Sequence, residues 1–187
     1  MKILVTYFSL THNTELIANT IFEQASLNDN AEIKKIKDVA PSELNIYDII
    51  FVGSACHDSD LARPVKNFLE SIPDNPSFKL AGFYCHSTMK RNDPLPRSEE
   101  LFDKWAAKGI KTFKHISDSK GIDLIGIFNC VGAPSPEIQV FIKNEIITDE
   151  NEWDTYFDQV MEHPNSKDLD DARIFAEKVL NKARSSN

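Results

Sequence analysis

The chain is poor in cysteine and in positive charge, and it lacks any long apolar run. Three cysteines in 187 residues, with no Cys-x-x-Cys pair, argue against a disulfide framework. A reducing cytoplasm is the simplest expectation. Lysine and arginine number 21 against 29 aspartates and glutamates, leaving a net charge of −8. That balance argues against nucleic acid and anionic membranes, which are held by basic surfaces. It suits a protein partner with a basic face. No run of 18 apolar residues occurs, so nothing reads as membrane-spanning. The N-terminal MKILVTYF is too short and too strand-like for a signal peptide. Internal repeats, low-complexity tracts and linkers are missing too.

What is present is ordinary for one domain spanning 1–187. Apolar residues make up 41% and charged residues 27%, and the length suffices for a real core. Buried-strand runs fall at 2–8, 48–53, 79–85 and 122–130, and 31–36 alternates like a strand with one wet face. Amphipathic helices lie between them. Ile17, Ile21 and Ala25 mark the first. Val65, Phe68, Leu69 and Ile72 mark a helix over 62–72, with Pro64 in its first turn. Ser98 reads as the cap of a helix whose stripe is Phe102, Ala106, Ile110 and Phe113. The last helix follows HPNSKDLDD, with Ala172, Phe175, Ala176 and Val179 inward. Strands alternating with helices predict a doubly wound α/β fold with five parallel strands. Its ligands should sit outside the carboxyl ends of the strands. Residues 131–164 exceed a minimal fold and read as a helical insertion before the last helix.

The stretch YFSLTHNT, residues 7–14, follows the first strand and opens the first helix. Helix N-termini expose unpaired N–H groups and partial positive charge, which suits an anion. Ser9, Thr11 and Thr14 supply hydroxyls and Asn13 an amide, with no lysine or arginine. The loop is neither a dinucleotide fingerprint nor a P-loop.

YFSLTHNTELIA resembles the phosphate-binding signature of flavodoxins. DIIFVGSACHDSDLARPVKNFLESI resembles the third strand, flavin loop and third helix of flavodoxins and related quinone-reductase-like flavoproteins. The resemblance covers roughly 1–130 and the last helix. It implies a flavodoxin-like sheet of order 2-1-3-4-5 and a non-covalent FMN. Ser9, Leu10, Thr11, His12, Asn13 and Thr14 would wrap the phosphate. Two loops, Ser54, Ala55, Cys56 and His57, and Cys85, His86, Ser87 and Thr88, would flank the isoalloxazine ring.

The chain departs from the family pattern in two places. His12 stands where the family has a small residue, often glycine, free to take a positive φ. Neither ring loop contains Trp, Tyr or Phe, so the ring would need His57, His86 or Met89 against it, or a cover from the insertion or a second subunit. A homodimer would supply the latter. Cys56, Cys85 and Cys130 end three neighbouring strands beside His12, His57 and His86. They could hold zinc, provide a redox thiol, or simply fill space. Lys90, Arg91 and Arg97 make the 86–97 loop basic, either as a solvated surface or as an attractor of anions. Asp58, Asp60 and Arg63 are expected to orient the third helix. The leading expectation is an FMN electron carrier serving a redox partner with a basic docking face. The alternatives are an FMN-dependent NAD(P)H reductase of quinones or small acceptors, and a flavin-less scaffold or Cys/His site.

Overall fold

The apolar runs become strands of one sheet in the computed structural model, which describes residues 1–93 and 97–185. Residues 94–96 of the basic loop lie outside the described residues. The strands are β1 (Lys2–Tyr7), β2 (Asn30–Lys35), β3 (Ile49–His57), β4 (Asp60–Leu61), β5 (Lys79–His86) and β6 (Asp123–Val131). The helices are α1 (Asn13–Ser26), α2 (Arg63–Glu70), α3 (Ser98–Trp105), α4 (Lys108–Lys120), α5 (Pro136–Glu145), α6 (Glu150–Val160) and α7 (Ser166–Ser185). Five strands pair in parallel in the order β2-β1-β3-β5-β6. That is the expected 2-1-3-4-5 order when the long strands alone are counted. The sixth strand, β4, folds back antiparallel on the end of β3.

Side chains alternate across each strand, so each run feeds two cores. Ile3, Val5, Phe51 and Phe83 pack under Ile17 and Ile21 of α1 and Ala172, Ala176 and Val179 of α7. Leu4, Ile50, Val52 and Leu80 pack under Val65, Phe68 and Leu69 of α2 and Phe113 and Ile116 of α4. Each fully buried large side chain contributes about 1.5–3 kcal/mol of apolar transfer. Gly53 leaves room for the Phe83 ring; a Cβ there would lie 2.3 Å from it.

Two expectations change. The stripe from Phe102 to Phe113 is not one helix but two, broken at Ala106–Ala107. The N–H groups of Ala106 and Ala107 both donate to the Phe102 carbonyl, and the Ala106 carbonyl accepts from the Tyr84 hydroxyl of β5 at 3.0 Å as well as from the Gly109 N–H at 3.3 Å. A tertiary bond thus stabilises the break. Ser98 is the first residue of α3 rather than its cap, and its hydroxyl donates to the Asp93 carbonyl.

The expected insertion is helices α5 and α6. Ile142, Ile147, Trp153, Tyr156 and Val160 form a third core with Met89, Leu101 and Val131. This core sits at the carboxyl end of the sheet, over β5 and β6.

Candidate functional site

A cavity of about 640 Å3 opens at the carboxyl ends of β1, β3, β5 and β6. It lies where the strand order reverses between β1 and β3, the place where doubly wound sheets bind ligands. Its volume is in the usual range for small-molecule sites. Among the described residues no lysine or arginine lines it, and the one formally charged group that does is Asp58.

The loop after β1 forms one end. Leu10, Thr11, Asn13 and Thr14 line the cavity. Among the described residues, the backbone N–H groups of residues 9–15 have no protein acceptor, and α1 has no side-chain cap. The hydroxyls of Ser9, Thr11 and Thr14 are likewise uncommitted among the described residues. Thr14 is 1% exposed, so its hydroxyl faces little besides the cavity. A cluster of free donors at a helix N-terminus fits a phosphate.

His12 adopts the left-handed conformation, φ 66°, that the family pattern gives to small residues. Its ring is 85% exposed and is held by Glu15, with Nδ1 and Oε2 2.7 Å apart. Glu15 also accepts from the Tyr7 hydroxyl at 2.5 Å. Burial and this carboxylate push the Tyr7 phenol up to about 12. The histidine ring therefore points away from the cavity, which it does not line. His12→Gly is expected to leave flavin affinity within about threefold, and to leave stability unchanged or raise it by up to about 1 kcal/mol. The left-handed strain is relieved while one exposed ion pair is lost. Flavin titration and a thermal melt check this.

Asn13 lines the cavity, but its side chain is engaged within the chain. Its amide donates to the Ala133 carbonyl at 2.8 Å, clasping the first loop to the loop after β6. Gly132 makes room, since a Cβ there would lie 2.7 Å from the Asn13 amide nitrogen.

The expected ring loop 54–57 is strand. Cys56 and His57 pair with Leu61 and Asp60 across a two-residue turn. Asp58 and Ser59 both take positive φ, 50° and 67°, as a type I′ hairpin requires. Ala55, Cys56 and His57 line the cavity. Ser54 does not; it is buried and its hydroxyl accepts from the Ala62 N–H at 2.9 Å. Asp60 is buried and ties the hairpin to two helices, accepting from Lys66 of α2 and Thr112 of α4.

Cys85, His86, Ser87 and Thr88 all line the cavity. His86 is buried; its Nδ1 accepts from the Thr88 N–H at 3.4 Å, so Nε2 carries the proton toward Asn129 Oδ1 at 3.2 Å. Burial lowers its pKa to about 4, against the opposing pull of the Asn129 bond. An unfolded histidine titrates near 6.5. Stability from His86 is therefore fully present above about pH 6.5 and falls as pH drops toward 4, because the unfolded chain binds the extra proton first. Denaturant melts from pH 7 to 4 are expected to lose about 3 kcal/mol from this group. His86→Gln is expected to flatten the decline.

The insertion and α3 supply the far wall: Leu101, Trp105, Ile138, Phe141, Ile142 and Tyr156. Trp105 and Phe141 meet edge to face at 6.0 Å. Tyr156 donates to the Ser87 carbonyl at 2.7 Å, pinning α6 to the end of β5. The aromatics missing from the two ring loops thus come from elsewhere in the chain. A cover from the insertion was one of the two expected; residue spacing carried no sign of Trp105 or Phe141.

The basic loop is neutralised rather than free for anions. Lys90 pairs with Asp168, Arg91 with Asp103, and Arg97 with Glu100 and Glu152. Cys56 and Cys85 line the cavity with His57 and His86, while Cys130 lies buried behind Cys85 and His12 stays outside. Among the described residues, however, no group of three or more His, Cys, Asp or Glu side chains is placed to hold a metal. The Cys56 thiol donates to the Trp105 carbonyl, and burial with Asp60 and Asp58 nearby pushes it up to about 12. Among the described residues no helix is long and apolar enough to cross a membrane.

A family model of the flavodoxin domain matches residues 4–177. An uncharacterized protein of Methanocaldococcus jannaschii is 29% identical, the match covering 96% of this chain and 99% of the relative. The flavodoxin-like domain-containing protein BilS of Clostridioides difficile is 25% identical, covering 98% of each. Among solved structures, oxidised flavodoxin 2 of Bacillus cereus superposes with a TM-score of 0.64 at 20% identity, over 97% of this chain and 99% of that one.

Proposed function

The chain belongs to the flavodoxin domain family, and from that premise we propose that it binds FMN and passes electrons to or from a redox partner. The observation that carries the reading is the row of uncommitted donors at residues 9–15, opening into a cavity of ligand size. The residues present fit the cofactor. Backbone N–H groups of the first loop, with the Thr11 and Thr14 hydroxyls, would hold the phosphate. Ala55, His57, Ser87 and Thr88, with Trp105, Phe141 and Tyr156, would enclose the ring. Bound there, the flavin supplies the electron-transfer chemistry. The chain's part is to orient the ring, exclude water with the α5–α6 wall, and present an acidic surface to a basic docking face.

The test is a pair of titrations of the purified protein with FMN and riboflavin, followed by flavin fluorescence. Saturable quenching by FMN at one per chain, with much weaker riboflavin binding, supports the reading. Equal affinity for the two flavins would remove the phosphate loop from the account. No quenching by either would remove the cofactor.

The apolar far wall favours a second reading, an FMN-dependent reductase of neutral small acceptors. Leu101, Ile138, Phe141 and Ile142 offer no charge or hydrogen bond and suit an uncharged planar molecule. Steady oxidation of NADH or NADPH with menadione as acceptor would separate this enzyme from a carrier.

A further inference from the structure

Cys85 and Cys130 meet at the base of the cavity. They are register partners on the neighbouring parallel strands β5 and β6. Their Sγ atoms are 3.4 Å apart, each thiol the other's hydrogen-bond partner. Adjacent strands lie about 4.8 Å apart, inside the roughly 4.4–6.8 Å Cα separation that a disulfide spans. Rotation about χ1 can therefore join the sulfurs without moving the sheet. Cys85 lines the cavity, and Cys130 lies fully buried behind it.

Access to the pair is selective. The hydrogen bond from Cys85, then burial, push the Cys130 thiol well above its ordinary value. Bulk oxidants act on exposed thiolates, and burial keeps large ones from this pair. A molecule seated in the cavity touches Cys85 directly. The third thiol, Cys56, bonds to the Trp105 carbonyl and stands apart from the pair.

We propose that Cys85 and Cys130 form a two-electron redox pair served by the cavity. Oxidation breaks two S–H bonds and forms one S–S bond. Two electrons and two protons pass to an oxidised flavin held in the cavity, which is reduced by the same amount. The identity of the acceptor rests on the flavin reading above; the pairing of the thiols does not. The protein would then store electrons in its own sheet edge as well as in the cofactor.

The experiment starts from fully reduced protein, freed of reductant under argon. One sample receives stoichiometric oxidised FMN. Another receives diamide without flavin, a neutral oxidant small enough to reach Cys85 through the cavity. Remaining thiols are alkylated in denaturant and mapped by mass spectrometry. The expected product in both is a Cys85–Cys130 cross-link with a mass loss of about 2 Da and an alkylated Cys56. In the FMN sample the flavin colour bleaches in proportion, and Cys130→Ala stays yellow. Three alkylated cysteines in both samples would overturn the proposal, as would cross-links through Cys56. A diamide cross-link with FMN bound but unbleached would overturn the flavin as acceptor. If FMN fluorescence is not quenched at all, the cofactor reading fails, and the diamide sample still decides the pair.

Discussion

Replacing Asp168 by alanine is expected to lower the melting temperature by roughly 6–20 °C, the equivalent of about 3–5 kcal/mol. Asp168 is fully buried in the first turn of α7. It accepts from Lys90 at 2.8 Å, from the Asn165 N–H at 3.0 Å and from His163. Asn165 returns the favour, its amide oxygen accepting from the N–H groups of Lys167 and Asp168. The two residues form a reciprocal helix cap. Removing the carboxylate takes the near partner of the Lys90 ammonium, leaving among the described residues Asp171 at 3.8 Å, and it breaks the half of the reciprocal cap that holds the Asn165 N–H. The same ties fix the start of the basic loop, so the end of β5 loosens with α7. Burial alone would raise the Asp168 pKa, but the His163, Lys90 and Asn165 bonds outweigh it and hold it at about 2. An unfolded aspartate titrates near 3.9. The stabilisation, about 2 kcal/mol, is thus full above about pH 4 and is lost as pH falls toward 2. Calorimetric melts of the wild type and Asp168→Ala from pH 7 to 3 check both points. Asp168→Asn keeps the cap oxygen and is expected to fall between them. A shift under about 2 °C at pH 7 would remove Asp168 as a hub.

The parts of this molecule that sequence reading captured are those encoded locally. Ile3, Val5 and Phe51 alternate with Leu4, Ile50 and Val52, and that period alone assigns strands with two buried faces. The hydroxyls of Thr11 and Thr14 stand before a helix, and such a turn announces an anion site wherever it occurs. The His12 question also had a local answer, since its positive φ and its bond to Glu15 three residues later are short-range features. What escaped was set by distant partners. The break at Ala106 depends on the Tyr84 hydroxyl from another layer. The engagement of Lys90 depends on Asp168, 78 positions away. Trp105 of α3 and Phe141 of α5 meet at the cavity only because the fold brings these two helices together. No periodicity in 98–113 or 131–164 reports which side of those helices meets a cavity. The β3–β4 hairpin was missed for a different reason: Asp58–Ser59 lacks the glycine that usually marks a type I′ turn.

The phosphate loop carries the second large effect. The double variant Thr11→Val, Thr14→Val is expected to weaken FMN binding roughly 100-fold or more, because each hydrogen bond to a charged group contributes about 1.5–3 kcal/mol. Valine keeps the branched shape of threonine, so the turn and the start of α1 should persist, and a thermal melt verifies that. Riboflavin, which has no phosphate, is expected to bind wild type and variant within about threefold of each other. A loss shared equally by both flavins would mean that the substitutions disturb the ring site and not the phosphate. Salt supplies an independent check on how the anion is held. A phosphate gripped by lysine or arginine is released as ionic strength rises. Here no lysine or arginine among the described residues lines the cavity, and the chain carries a net charge of −8. Salt therefore screens repulsion more than attraction, and FMN affinity is expected to hold or rise between low and physiological ionic strength. A steep fall with salt would instead locate a cation at the phosphate, and the neutral donors of residues 9–15 would lose their assigned role.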